Sequence, residues 1–385
     1  MTAQTEKTLQ LRRDFHERIQ QILVRALEKG AEVGVVAEAM SRAAEGSARV
    51  MVDSLADDRP RMLAEHALMW KDVEDILRET WGGALDRLYS VVVAVEELAR
   101  GWDYANHADA EADGDLMFQV MSSLLARAIR TAFEVHLLLT RGFPAGATAR
   151  ARSLHELAVV ARVMVQHGND HDLPTRYVDH RHIDQYLWVQ NHQEHAEDLG
   201  REPFTADEVK NLTAMRDHLV AEHGAGFGQA YGWAAPLFTS GGGISVLRLA
   251  GTVDMDWGRP DYVGDSQEVH PTAWGAELNQ ELDGQVGSWR LTGLADPANS
   301  TMVRLCQVLG DGLVYGRPDV VNQYDVLGLA TAYELVEDAQ ATFVAAERSA
   351  AERIVSDPLR PDPPTMRSAG NWATTPDTAP DHPSR

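Results

Sequence analysis

The sequence predicts an all-α fold, a multi-helix bundle with a long glycine-rich irregular insert. Apolar residues recur at three- and four-residue spacing over most of residues 6–356. Capping residues, first-turn prolines and terminal glycines punctuate those stretches, and strand-like alternation is scarce. Between residues 224 and 265 the period lapses and glycines recur, from Gly224 and Gly226 to Gly251 and Gly258, with Tyr231, Trp233 and Trp257 among them. An insert of that length reads as a lid or binding loop.

The elements follow in order. Leu9, Phe15, Ile19, Ile22 and Leu23 mark a first helix that stops at Gly30. A second spans 31–56, and Asp57-Asp58-Arg59-Pro60 is expected to end it, with Pro60 opening a third that runs to about Trp81. Gly82-Gly83 is expected to kink or break the chain before a helix over 84–102. The acidic run His107 to Asp115 is the candidate boundary between an N-terminal helical region, 1–106, and a main helical domain, 115–356. Next comes a helix over 116–140 with the stripe Met117, Met121, Leu124, Ala128, Ala132, Val135, Leu139, closed by Gly142 and followed by Pro144. The helix over 145–167 carries the small-residue stripe Ala147, Ala151, Leu154, Ala158, Ala161, Val165, which places it centrally in the bundle. Its second stripe, Thr148, Arg152, His155, Arg162, is polar and must face partners or water. Asp172 and Pro174 open a helix to about Asp198, and Thr205-Ala206-Asp207-Glu208 fits a capping box for one ending near His223. Helical pattern returns after Asp296-Pro297 and again from Pro318 to about Val355. The tail, 357–385, is polar and proline-rich and is expected to be disordered.

Composition narrows the functional classes. A formal charge of −23 disfavours nonspecific nucleic-acid binding, and lysine is confined to Lys7, Lys29, Lys71 and Lys210. Cys306 is the only cysteine, which excludes an intramolecular disulfide and a cysteine-based zinc cluster. No apolar h-region stands at the N-terminus, and no run approaches the ~20 apolar residues of a membrane span. A cytoplasmic protein without membrane association is expected.

Metal and nucleophile signatures are weak. Histidines cluster between His167 and His195, yet neither Glu-x-x-His nor His-Glu-x-x-His occurs, and no bound metal or cofactor is expected. Ser240-Gly241-Gly242-Gly243 lacks the lysine of a phosphate loop and reads as a flexible turn. The Arg-x(4–6)-His spacing of HEPN-type ribonucleases occurs at Arg150–His155, Arg176–His182 and Arg216–His223. It carries little weight, because Arg59, Arg61, Arg100, Arg130 and Arg162 match as well.

The strongest constellation is Arg152, Glu156, Arg176, Tyr177, His180 and His270. Arg152 and Glu156 are i,i+4 neighbours on one helix, as are Arg176 and His180 on the next. A carboxylate between two guanidiniums would stay ionised and orient them, while His180 or His270 moves a proton near neutral pH. The competing reading is a buried ion-pair network that locks helices together.

These residues also carry a family resemblance. Arg152-Ser153-Leu154-His155-Glu156, then Arg176-Tyr177, then Ser266-Gln267-Glu268-Val269-His270 resemble in their order the bacterial domain of unknown function 5677 family. Gly142-Phe143-Pro144-Ala145-Gly146-Ala147 and Tyr231-Gly232-Trp233-Ala234 extend the resemblance, which covers about Leu116 to His270. It implies a mostly helical fold and supplies no activity. Two functional readings stand. One is an enzyme or nucleotide-handling defence-type effector, with HEPN-like RNA cleavage as its enzymatic version. The other is a noncatalytic helical binding or scaffold protein whose polar cluster is structural. The candidate ligands are a small molecule or RNA, and homo-oligomerisation stays open.

Overall fold

The structure, a computed structural model, describes residues 3–30, 32–239, 242–273, 275, 290–316 and 321–356. Among them there is helix and turn and no strand, as the sequence predicts. The chain divides into two compact units between Asp75 and Ile76. The tail from Asp357, expected to be disordered, lies outside the described residues.

The N-terminal unit holds α1 (Ala3–Glu28) and the first part of α2 (Val33–Asp113). Gly30 terminates α1 in the left-handed region, φ 57°, as its position after the periodic stretch implies. Two expected breaks do not occur. Pro60 lies inside α2. Its ring removes one N–H donor and crowds the Ala56 carbonyl, but its fixed φ is already helical, so the chain keeps its course. Arg61 reaches back to Asp58 at 2.9 Å across the site.

In the second unit, α2 runs unbroken through Gly82-Gly83. Each glycine costs a helix interior about 1 kcal/mol. Trp81, Leu85 and Leu88 beside them are buried, which contributes about 1.5–3 kcal/mol per large side chain. Burial therefore outweighs propensity. Trp81 Nε1 also donates to the Leu291 carbonyl at 2.9 Å. The acidic run from His107, expected as a boundary, forms the last turns of α2, anchored by buried Trp102 and Ala110. Gly114, φ 65°, then turns the chain.

Helix α3 (Leu116–Thr140) has the expected bounds because Asp115 accepts from Phe118 N at 2.9 Å and Gly142, φ 73°, stops it. Its apolar stripe is buried except at Met117, which is half-buried. Helix α4 (Pro144–His171) is central: it packs on α3, on α5 (Leu173–His195), on α7 (Val246–Gly251), on α8 (Arg259–Val269) and on α9 (Ala295–Gly310). Its small-residue stripe from Ala147 to Ala161 is buried, and Val165 is half-buried. The turn expected at 168–172 is shorter. A single left-handed residue, Asp172 at φ 51°, joins α4 to α5, and its carboxylate accepts from the Thr175 hydroxyl at 2.7 Å.

Helix α6 (Ala206–His223) opens with the expected capping box, Thr205 and Glu208 bonding reciprocally. The glycine-rich insert holds more helix than its composition suggests. Single 3₁₀ turns at Ala225–Gly228, Gly232–Leu237 and Asp256–Gly258 alternate with α7 and lead into α8. Helix α9 buries Met302, Leu305, Cys306 and Leu309, then widens into a π-helical turn, Asp311–Gly316. Helix α10 (Gln323–Ser356) packs along α9 through its neighbouring face. Among the described residues no helix is long and apolar enough to cross a membrane.

Candidate functional site

Five of the six residues singled out from sequence fall into two groups. The first lies where α8 crosses α4. Arg152 Nη2 donates to the Tyr262 hydroxyl at 2.7 Å, and that hydroxyl donates to Glu156 Oε1 at 3.0 Å. Arg152 and Glu156 also approach directly, at 3.6 Å. The guanidinium carbon stands 4.4 Å from the centre of the Tyr262 ring. One tyrosine thus inserts its hydroxyl into an i,i+4 ion pair and links two helices far apart in sequence. Arg152 is mostly buried, and its Nε is sealed from solvent without a hydrogen-bond partner. Glu156 keeps 34% of its side chain exposed, so the relay has one accessible end.

Ionisable groups crowd this relay. Burial, then the Glu156 charge, pushes the Tyr231 hydroxyl up to about 12. Tyr231 itself holds a left-handed backbone, φ 56°, at the head of the 3₁₀ turn Gly232–Leu237. Tyr262 is also raised, chiefly by burial. Burial, followed by the charges of Asp261 and Asp296, pushes the Asp265 carboxyl up to about 6. Asp265 therefore titrates within reach of neutrality, beside the Arg152 charge.

The second group, on α5, serves the insert. Arg176 Nε donates to the Trp233 carbonyl at 2.9 Å, and Nη2 to the Gly232 carbonyl at 3.3 Å. Both terminal nitrogens reach the His223 carbonyl, at 3.4 and 3.5 Å. His180 Nε2 donates to the Gln229 carbonyl at 2.9 Å. These buried side chains clamp main-chain oxygens of residues 223–233. Glu156, expected to contact Arg176, Arg152 or both, approaches Arg152, while these carbonyl oxygens occupy the Arg176 guanidinium. Tyr177 packs edge-on against Trp233, ring centres 5.3 Å apart, and its hydroxyl lies in the field of Tyr231.

His270 belongs to neither group. It follows α8, where its N–H caps the Ser266 carbonyl at 3.0 Å, and its side chain is exposed. The ribonuclease-like pairs do not assemble either. Arg150 pairs with Glu134, Arg216 with Asp217, and His223 Nε2 lies 3.1 Å from Asp179 Oδ2. Among the described residues no three His, Cys, Asp or Glu side chains are grouped to hold a metal ion.

The sequence reading missed Tyr262 and Asp265. Pro260 was the available signal: it stands in the first turn of α8 and marks a helix start inside the glycine-rich stretch. From there Tyr262 and Ser266 fall one turn apart, and the Ser266 hydroxyl bonds the Tyr262 carbonyl at 2.6 Å.

Both groups lie within one stretch of known kind. Residues 118–285 match the family of unknown function DUF5677. The resemblance carried by Arg152–Glu156, Arg176–Tyr177 and Ser266–His270 is thereby shown over this stretch. The DUF5677 segment takes in α3 to α8, so it holds the whole Arg152–Tyr262–Glu156 relay and the Arg176 clamp. No curated protein and no solved structure matches the chain.

Proposed function

We propose that the chain is a helical binding protein whose DUF5677 segment recognises a small polar ligand at the Arg152–Tyr262–Glu156 relay. The observation that supports this is the division of labour between the two polar groups. The Arg176–His180 group spends its donors on backbone carbonyls, which is structural work. The relay instead ends at a partly exposed carboxylate that accepts from Tyr262 and acts on Tyr231. Its linked donor and acceptor suit a ligand bearing hydroxyl or amine groups, each of which exchanges for one link of the relay.

RNA cleavage fits less well. His180 is committed to the Gln229 carbonyl, and His155, beside the relay, is held neutral by burial and by Arg304, its pKa pushed down to about 4. Asp261, Asp265, Glu268 and Asp296 make the surroundings acidic, which repels a polyanion.

One observation favours an enzymatic version: Asp265, with its carboxyl raised to about 6, has the pKa of a general base. The test is mass spectrometry of small molecules that co-purify with the wild-type chain and with Glu156→Gln and Asp265→Asn. A ligand retained by wild type and lost from Glu156→Gln supports the binding reading. A ligand that accumulates unreacted only on Asp265→Asn supports the enzymatic version. Equal ligand content in Glu156→Gln and wild type refutes the relay as a site.

A further inference from the structure

On either side of the Gly114 turn, α2 and α3 leave a groove of about 750 Å³ between residues 96–108 of the first and 122–129 of the second. That volume falls within the roughly 300–1,000 Å³ of small-molecule clefts. The space exists because the walls carry small side chains, Ala99, Ala108, Ser123 and Ala126. The floor is apolar, with Leu125 2% and Trp102 3% exposed. The Trp102 Nε1–H is sealed from solvent without an acceptor, so the groove meets that residue as an apolar surface and not as a donor. Tyr104 stands at the rim, 91% exposed. Charge enters beside it. Asp103 Oδ1 accepts from the Ser122 hydroxyl at 3.3 Å and lies 3.7 Å from His107 Nδ1. Its Oδ2 has no hydrogen-bond partner among the described residues, and half of the side chain is exposed. Glu96 is engaged by Arg100 at 2.6 Å. Counting His107 as neutral, two carboxylates against one guanidinium leave the groove one negative charge in excess.

An apolar floor, a carboxylate with an open acceptor and an exposed aromatic ring together match an ammonium group on an apolar body. We propose that this groove binds a small organic monocation, its apolar body over Trp102 and Leu125 and its ammonium group donating to Asp103 Oδ2. The Tyr104 ring supplies cation–π attraction from the rim. A neutral body of the same shape gains the floor and not the ion pair. An anion meets Asp103 and Glu96, with Arg100 already engaged, and is repelled. The groove lies on other residues than the relay and does not depend on that reading.

The test is isothermal titration of the full chain, at constant ionic strength, with phenethylammonium chloride, the neutral 2-phenylethanol and the anion 3-phenylpropionate. Wild type should bind the ammonium saturably, about tenfold or more tightly than either analogue. Asp103→Asn keeps an acceptor for Ser122 and should lose that preference. Ala126→Trp fills the groove from an exposed position on α3 and leaves both carboxylates in place, so it should abolish binding with an unchanged circular dichroism spectrum. Glu156→Gln should bind as wild type does. Absence of saturable binding to wild type overturns the site, and so does undiminished binding in Ala126→Trp. Binding lost in Glu156→Gln and kept in Asp103→Asn assigns the ammonium to the relay and overturns the groove. Equal affinity for 2-phenylethanol overturns the ligand class. A dimer that Ala126→Trp converts to monomer, by light scattering, shows a second copy filling the groove and overturns the proposal as well.

Discussion

Asp311→Asn should remove a specific pH dependence of stability. Asp311 is fully buried at the start of the π-helical turn, 3.0 Å from Arg162 Nη2, yet neither of its oxygens receives a well-directed hydrogen bond. Burial outweighs the Arg162 charge and pushes the carboxyl up from 3.8 to about 7. A carboxyl with a raised folded pKa holds its proton more tightly folded than unfolded. Its contribution is greatest at low pH and is lost as pH rises from about 4 through about 7. Between pH 5 and pH 8 the loss is roughly 2.5 kcal/mol, or about 5–10 °C in melting temperature for a unit of this size. The asparagine side chain has nearly the same shape and no charge, and Arg162, 27% exposed, retains access to water. Urea unfolding at pH 5, 6, 7 and 8, followed by tryptophan fluorescence, would be run on both proteins. Other titrating groups cancel in the difference between them. That difference should move steadily against wild type as pH rises. A difference constant within about 0.5 kcal/mol across the range would refute the buried, raised carboxyl.

Further predictions concern the two polar groups and metal. Arg176→Ala leaves the carbonyls of 223, 232 and 233 without their donor, at about 1–3 kcal/mol for each carbonyl left unsatisfied. Limited proteolysis should then cut within 225–237, and resistance equal to wild type would show the clamp to be dispensable. Glu156→Ala should cost under about 1 kcal/mol by denaturant melts, because this carboxylate is a third exposed and its pair is solvent-screened. A loss of 3 kcal/mol or more would mean a buried structural pair instead. Elemental analysis after chelator washing should find no stoichiometric zinc or iron, and one retained metal per chain would contradict the reading of the histidine-rich helix.

The sequence disclosed best what depends on local chemistry. Asp115 and Gly142 bound α3, and Thr205 with Glu208 starts α6, because caps bond within a few residues of themselves. It disclosed least where distant packing decides. Gly82-Gly83 looks like a break until buried Trp81 and Leu88 are counted, and Pro60 looks like a start although its φ suits a helix interior. At the candidate site, Arg152 and Glu156 were legible as a pair at helical spacing. Their third member, Tyr262, comes from 106 residues further along, in a stretch whose glycines masked its helix. Arg176 was visible as a buried cation, but residue types do not reveal which main-chain oxygens it meets. Asp311 gave no signal, since its burial follows from α9 widening into a π turn.

The Arg176 clamp has a consequence for how this protein can change. A guanidinium that grips main-chain oxygens is indifferent to the identities of the side chains those oxygens belong to. Exchanging His223 or Trp233 would alter its own contacts, with Asp179 and Tyr177, without unloading the guanidinium, whereas Gly232 is fixed by space, since a Cβ there would stand 2.2 Å from the Phe227 carbonyl oxygen. Adding or deleting one residue between 223 and 233 would shift the gripped oxygens out of register together. The clamp thus constrains the length of the segment, a constraint separate from the one that space sets on Gly232.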